Sequence, residues 1–187
     1  MDHYIDICLL PDSEFPSTVL INILFSKLHR GLVELGTRAV GVSFPDFERS
    51  HKGLGEKLRL HSSLGELGRL MLLPWLTGLV DHLEVSPLLQ VPQTLQYRVV
   101  RRVQAKSSPE RLRRRLMKRK SLSEEQARRE IADTVVEKLN LPYVTLTSRS
   151  TGQHFMLFIE HGPLMPSPVF GSFSSYGLSS SATVPWF

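Results

Sequence analysis

A chain of 187 residues is long enough for one large domain or two small ones, with a real hydrophobic core. Its 41% hydrophobic content excludes a disordered polymer, and its single cysteine, Cys8, excludes a disulfide framework and a thiolate zinc site, so a cytoplasmic protein is expected. Lys and Arg number 23 against 18 Asp and Glu; the net charge of +5 is modest but concentrated in one segment, which marks a basic face.

Asp2 and Asp6 interrupt the first apolar stretch, so no signal peptide is read there. Tyr4 to Leu10 alternates and stops at Pro11, which predicts a strand. Ser17 is expected to cap a helix that runs to about Leu35 and ends at Gly36, with Leu20, Ile23, Leu24, Leu28 and Leu32 on its core face. Short strands follow at Val40 to Phe44 and Lys57 to His61, around a polar loop at Asp46 to Gly53. Ser63 with Glu66 reads as a capping box opening a second helical region, which Pro74 interrupts. Leu67 to Val80 is the longest apolar region, and Gly68, Arg69 and Pro74 break it too often for a membrane span. Strand-like segments at His82 to Val85 and Tyr97 to Ala105 complete a β-α-β-β-α-β order. That is the order of the ferredoxin-like unit, a frequent platform for RNA binding.

The stretch from Arg98 to Arg119 has Glu110 as its one acid. Ser108 at the N-cap, Pro109 at the first helical position and Glu110 in the first turn predict a helix start. At about 100° per residue, Arg111, Arg114, Arg115, Lys118 and Arg119 share one arc, with Leu112 and Leu116 beside it as anchors. A one-sided basic helix suits docking along a phosphate backbone. In the strand before it, Arg102 and Gln104 are two apart and point to one side. Arg matches the O6/N7 edge of guanine and Gln the N6/N7 edge of adenine, while solvated strand residues would show the same spacing. The deep, narrow major groove of A-form RNA opposes such readout, except at the open end of a short stem.

A capping box at Ser123 and Gln126 opens another helix, with a stripe of Ala127, Ile131, Val135 and Leu139 before Pro142. Tyr143 to Thr147 and Phe155 to Ile159 read as strands around a turn-rich segment from Ser148 to Gln153. The Ser-, Gly- and Pro-rich segment from Gly162 carries Phe170, Phe173, Tyr176, Trp186 and Phe187, so it is expected to pack on the body.

Paired metal-binding acids, H-E-x-x-H, C-x-x-C and glycine-rich phosphate loops are absent from the sequence, and no metal or cofactor is expected. His29 falls at the edge of the apolar arc of its helix, near Asn22 and Ser26; by pattern alone it reads as an ordinary boundary histidine. Ser148 and Ser150 likewise read as turn residues bonding their own backbone.

A set of short motifs occurs together along the chain. These are HisTyrIleAsp at 3–6, LysLeuHis at 27–29, ValGlnAlaLys at 103–106 and ProGluArgLeuArgArgArgLeu at 109–116, then SerThrGlyGlnHisPhe at 150–155, TyrGlyLeuSer at 176–179 and the final ValProTrpPhe. In this order and spacing the chain resembles the CRISPR repeat-cleaving endoribonucleases of type I-F systems, the Csy branch of the Cas6 superfamily. The glycine-rich loop of the wider superfamily is missing, with only Gly171 and Gly177 in its place, which resembles the I-F branch itself. Lys118 stands where the arginine-rich helix often has another arginine, keeping a charge but losing bidentate geometry.

The resemblance implies an α+β protein: an N-terminal ferredoxin-like βαββαβ domain holding the catalytic half (1–95), and a smaller C-terminal α+β domain with the arginine-rich helix (96–187). It implies metal-independent cutting of precursor CRISPR RNA at the 3′ base of the repeat hairpin. The 2′-hydroxyl attacks, leaving a 2′,3′-cyclic phosphate and a 5′-hydroxyl on the way to mature guide RNA. By position, His29 is the implied general base and Ser148 orients the hydroxyl, with Ser150 and Tyr176 in the same pocket. Phe155 is implied to stack on a base, Arg102 and Gln104 to read adjacent pairs, and Arg111, Arg114, Arg115, Lys118 and Arg119 to grip the stem. Implied partners are the repeat hairpin and other subunits of the type I-F interference complex, with no membrane. A non-catalytic hairpin-binding subunit and a general RNA-binding module are the alternatives.

Overall fold

The computed structural model describes residues 1–50, 53–93, 96–104, 109–131, 140–148 and 152–187, with only the backbone described at 109–111. The chain divides into two compact units: Met1–Val103 with Leu141–Phe187, and Gln104–Asn140. This division differs from the expected one at residue 95, because the strands after residue 141 pair with the strand that ends at Val103. The protein is α+β, as expected, with two antiparallel sheets.

The first sheet has the order β2-β3-β1-β4, from β1 (His3–Leu9), β2 (Gly41–Ser43), β3 (Lys57–Ser62) and β4 (Leu83–Val85), and β5 (Leu89–Gln90) also pairs with β1. Ser86 joins β4 to β5 along β1: its hydroxyl accepts from Asp6 N and its own N–H donates to Asp6 O. Between β1 and β2 runs α1 (Ser17–Leu35), and α2 (Leu64–Leu72) lies between β3 and β4.

The length of α1 matches the expectation, but two details differ. Ser17 is the first helical residue and Pro16 the N-cap, which makes no side-chain cap bond. The buried face is Leu20, Ile21, Leu24, Phe25, Leu28, Gly31 and Leu32, while Ile23 is exposed. Ile21 and Phe25 widen the apolar arc on the side away from Ile23, so the helix settles over that side. Gly36 ends it at φ +68°, its N–H reaching Leu32 O and Val33 O. At the start of α2 the capping box is half formed. Ser63 Oγ accepts from Glu66 N, but the Glu66 carboxylate turns to Thr37 Oγ1 (2.6 Å) and Arg69 Nη1 (2.7 Å).

The second sheet has the order β7-β8-β6-β9, from β6 (Tyr97–Val103), β7 (Tyr143–Thr147), β8 (His154–Met165) and β9 (Thr183–Pro185). β8 is much longer than the expected Phe155 to Ile159, because its second half pairs back along β6 to Tyr97. The register slips between Arg98 and Val100, opposite Gly162 and Pro163; a proline cannot donate to the ladder, so the irregularity falls where it sits. β9 was not legible as a strand, and the aromatic tail packs as expected in part: Trp186 N reaches Gln96 O and Phe173 is buried, but Phe170 is exposed. One apolar cluster runs from α1 through both sheets, from Ile7 and Phe25 to Leu157 and Val184. On the flank of α1, Asn22 Oδ1 accepts from Thr145 N, joining helix to β7.

Arg59 is buried between Asp6, which takes both its Nε and Nη2 (2.6 and 2.8 Å), and Phe187 O, which takes Nη1. The rings of Tyr4 and Phe187 lie against the same guanidinium.

The smaller unit holds α3 (Pro109–Lys120) and α4 (Glu124–Glu130). Ser123 and Gln126 form the expected reciprocal capping box. Ala127 is buried, and Ile131 caps the helix end. Val135, Leu139 and the expected N-cap Ser108 lie outside the described residues. Among the described residues no helix is long and apolar enough to cross a membrane.

Two imidazoles, His61 buried and His161 half-buried, tie stability to pH. His161 stacks on Phe47 at 3.8 Å, neither ring nitrogen has a hydrogen-bond partner among the described residues, and burial followed by the nearby Arg98 charge pushes its pKa from 6.5 down to about 3. His61, hydrogen-bonded at Nε2 to Ser43 Oγ, is held well below the usual range mainly by burial. The unfolded chain takes up the His161 proton near pH 6.5 and the folded one only near 3, so stability falls with pH across that window. Urea midpoints measured from pH 7 to 4 are expected to decline, and less steeply for His161→Phe, which keeps the ring contact. An identical pH slope in the variant refutes this assignment.

Candidate active site

The late part of α1 brings His29 to the edge of the buried stripe, next to Phe25 and on the flank that meets β7. Its Nδ1 lies 2.9 Å from Ser175 O. A carbonyl oxygen only accepts, so Nδ1 carries the proton, and the neutral ring keeps its lone pair on Nε2. The ring stacks on Tyr176 at 4.1 Å and 12°, and Tyr176 stacks in turn over the fully buried Phe25 at 6.2 Å and 5°. The orientation of His29 is thus traceable to the core.

Its partner turn is built for the purpose. Ser174 N donates to Leu178 O and Gly177 N to Ser174 O, while Ser174 Oγ accepts from the N–H groups of Tyr176 and Leu178. Gly177 O then takes Val42 N at 2.9 Å, fastening the turn to β2. Gly177 sits at φ +70°, and a Cβ there would meet Val42 Cγ1 at 2.5 Å, so only glycine fits.

Across from the helix, the β7–β8 hairpin supplies Ser148, half-buried at the end of β7. Its N–H donates to Gln153 O (2.9 Å), and its carbonyl accepts from Gly152 N (2.8 Å). One step earlier, Thr147 Oγ1 lies 3.0 Å from His154 Nδ1. Phe155 is half-buried, with the Arg102 guanidinium 5.8 Å from its ring centre. His29, Ser148, Tyr176, Arg102, Phe155 and His154 all line one open cleft of about 1050 Å³ in the larger unit. Arg30 and Glu34 lie at the same cleft. Guanidinium groups around a cleft that also holds an imidazole with a free lone pair suit a phosphodiester undergoing attack.

The structure therefore brings five expected site residues together: His29, Ser148, Tyr176, Arg102 and Phe155. Ser150 and the side chain of Arg111 lie outside the described residues. Gln104 is exposed just past β6. On α3, Arg114, Arg115, Lys118 and Arg119 are exposed, whereas Arg113 is buried, its Nε and Nη2 donating to Ile131 O at 2.9 and 2.7 Å. His154 and Arg30 are cleft residues that sequence reasoning passed over. The register that sets Thr147 opposite His154 is the signal that places the second imidazole. Among the described residues no group of three His, Cys, Asp or Glu could hold a metal ion.

Comparison with known proteins is consistent across the whole chain. The family model of the CRISPR-associated protein (Cas_Csy4) matches residues 4–187. The chain belongs to this family. It is 57% identical over 187 residues to the CRISPR-associated endonuclease Cas6/Csy4 of Pseudomonas aeruginosa (strain UCBPP-PA14), covering 100% of both chains. It is 48% identical to the protein of the same name from Escherichia coli (strain UTI89 / UPEC), again over 187 residues and 100% of both. In this Cas_Csy4 chain the matched region spans both the cleft and α3.

The turn at Gly177 gives a direct test of how His29 is held. Gly177→Ala is expected to cost about 2–4 kcal/mol, from left-handed backbone plus overpacking against Val42. It should also shift the His29 ring resonances in an NMR spectrum. Wild-type urea unfolding with unmoved ring signals contradicts the role given to this turn.

Proposed function

We propose that the chain is an endoribonuclease that cleaves precursor CRISPR RNA at the 3′ base of the repeat hairpin to yield mature guide RNA. Membership of the Cas_Csy4 family supports endonuclease activity on this class of RNA, since both relatives compared are named CRISPR-associated endonucleases. One observation carries the mechanism: His29 is held with Nδ1 on a carbonyl, which reserves Nε2 as a base.

In this reading His29 Nε2 takes the proton of the 2′-hydroxyl beside the scissile phosphate, a role worth about 10²–10⁴-fold. The 2′-oxygen bonds to phosphorus, and the products are a 2′,3′-cyclic phosphate and a 5′-hydroxyl. No step calls for a metal. Ser148 orients the attacking hydroxyl, Tyr176 keeps the His29 ring in place, and Ser150 lines the same pocket. Holding the hydroxyl in line with the phosphate adds a proximity term. Arg30 and Arg102 supply positive charge where the phosphorane develops negative charge.

Phe155 stacks on a base at the foot of the stem, with Arg102 and Gln104 reading adjacent pairs. The exposed face of Arg114, Arg115, Lys118 and Arg119, with Arg111, grips the phosphates of the stem. The strand order β2-β3-β1-β4 supports reading the N-terminal region as the ferredoxin-like platform for this chemistry. Retention of the product hairpin within a larger type I-F interference complex, in the cytoplasm, completes the proposal.

His29→Ala is expected to abolish cleavage of a labelled repeat hairpin while affinity stays within a few-fold. A 2′-deoxy sugar at the cut should bind and remain intact, and EDTA should change nothing. Full activity of the alanine variant, cleavage of the deoxy substrate or inhibition by chelator each defeats this mechanism. Arg115→Ala should weaken binding and reduce the slope of log K against log salt by about one. A slope equal to that of the parent removes α3 from the interface.

A further inference from the structure

The cleft does not end at His29. Val33, one turn further along α1 and well exposed, lines the cleft and also lines a second hollow of about 620 Å³ in the same unit. The 174–178 turn is the wall between the two: Tyr176 lines the cleft, while Ser174, Ser175 and Leu178 line the hollow. At 1.5 Å per residue, α1 carries this path about 10 Å from His29 to Gly36.

Hydroxyl groups and the Arg38 guanidinium furnish the hollow, and no carboxylate lines it among the described residues. Ser179 is more than nine-tenths buried there, and its Oγ accepts from Ser181 N (3.3 Å) and Ala182 N (3.0 Å). The hydroxyl proton of Ser179 has no acceptor among the described residues. Ser174 Oγ accepts from Tyr176 N and Leu178 N and leaves its proton over in the same way. Buried hydroxyl protons without acceptors suit a ligand rich in acceptor oxygens. Arg38 is held by its backbone, whose carbonyl takes Phe173 N at 2.9 Å, and its exposed guanidinium has no partner among the described residues. The neighbouring acids do not oppose this: Glu66 takes the Thr37 hydroxyl but is paired with Arg69, and Glu34 lines the cleft rather than the hollow. The carbonyl pole of α1 also ends here, which disfavours a bare anion but suits the ribose hydroxyls of a strand.

We infer that the single-stranded RNA continuing 3′ of the cut leaves the cleft over Val33 and lies in this hollow, with its phosphates at Arg38 and the Ser174 and Ser179 hydroxyls. The assignment rests on reading the cleft as a ribonuclease site. In that reading the stem lies on the Phe155 and Arg102 wall and the scissile phosphate beside His29, so the strand beyond the phosphate departs along α1. The 5′ flank enters across the width of the stem, away from this path. Contacts to phosphate and ribose carry no base information, so the grip is independent of the flank's sequence.

Binding by the full chain is compared for three repeat hairpins. One ends at the cut, one continues as a short single strand on the 3′ side with a 2′-deoxy sugar at the cut so that it stays intact, and one is extended on the 5′ side instead. The 3′ extension is expected to tighten binding by the parent about fivefold or more and to steepen its salt dependence. Arg38→Ala should lose most of that gain and Arg38→Glu all of it, while both bind the hairpin ending at the cut within about threefold of the parent. A photoreactive thiouridine just beyond the cut should crosslink within residues 172–181. The absence of any gain from the 3′ extension, a gain that Arg38→Glu leaves whole, an equal loss with the 5′ extension, or crosslinks confined to other segments each overturns this path while leaving the site reading intact. Failure of the parent to bind or cut any repeat hairpin overturns the site reading, and the path with it.

Discussion

The proton on His29 Nδ1 is placed by an oxygen that has none to give. Ser175 O can only accept, and this one-way contact sets which nitrogen of the ring is available to a substrate. Much of the surrounding structure serves it. The 174–178 turn is closed by its own hydrogen bonds, fastened to β2 through Val42, and kept close by a glycine at φ +70°. Phe25 supports Tyr176, and Tyr176 supports the imidazole, so the packing of α1 on the sheets continues into the cleft as a stack of rings.

Charge is divided between building and binding. Arg59 holds Asp6 and Phe187 O between two aromatic rings, Arg98 lies over Trp186 with Glu48 at its Nη1, and Arg113 closes on the carbonyl that ends α4. These three are buried, each with hydrogen-bonding partners, as removal from water demands. Arg114, Arg115, Lys118 and Arg119 remain in solvent. A net charge of +5 thus understates the basic face, because acids elsewhere cancel part of it, while the count of arginines overstates it, because several are structural.

What the sequence revealed is what local physics decides. The α1 length follows from its apolar period and Gly36, β7 from its alternation, and the α4 start from Ser123 and Gln126. What it concealed depends on distant partners. Glu66 left the capping box because Thr37 and Arg69 offered its carboxylate better bonds. β8 runs on past Ile159 because β6 waits alongside, and β9 is a strand only because Tyr97 to Val99 lies next to it. For the cleft, motif resemblance singled out His29, Ser148 and Tyr176, whereas residue pattern alone read His29 as a boundary histidine. The difference lies in Ser175 and Tyr176, which no helical period can reveal. His154 escaped notice for the same reason, as its partner is set by hairpin register.

The contact between His29 and Ser175 closes a loop of 146 residues. α1 can form from local bonds, but the carbonyl that readies its histidine is made 146 residues after it. Chains still in synthesis therefore carry the basic helix before they carry an oriented imidazole. On the roles proposed for α3 and His29, the order of synthesis places the residues that bind ahead of the contact that readies the base.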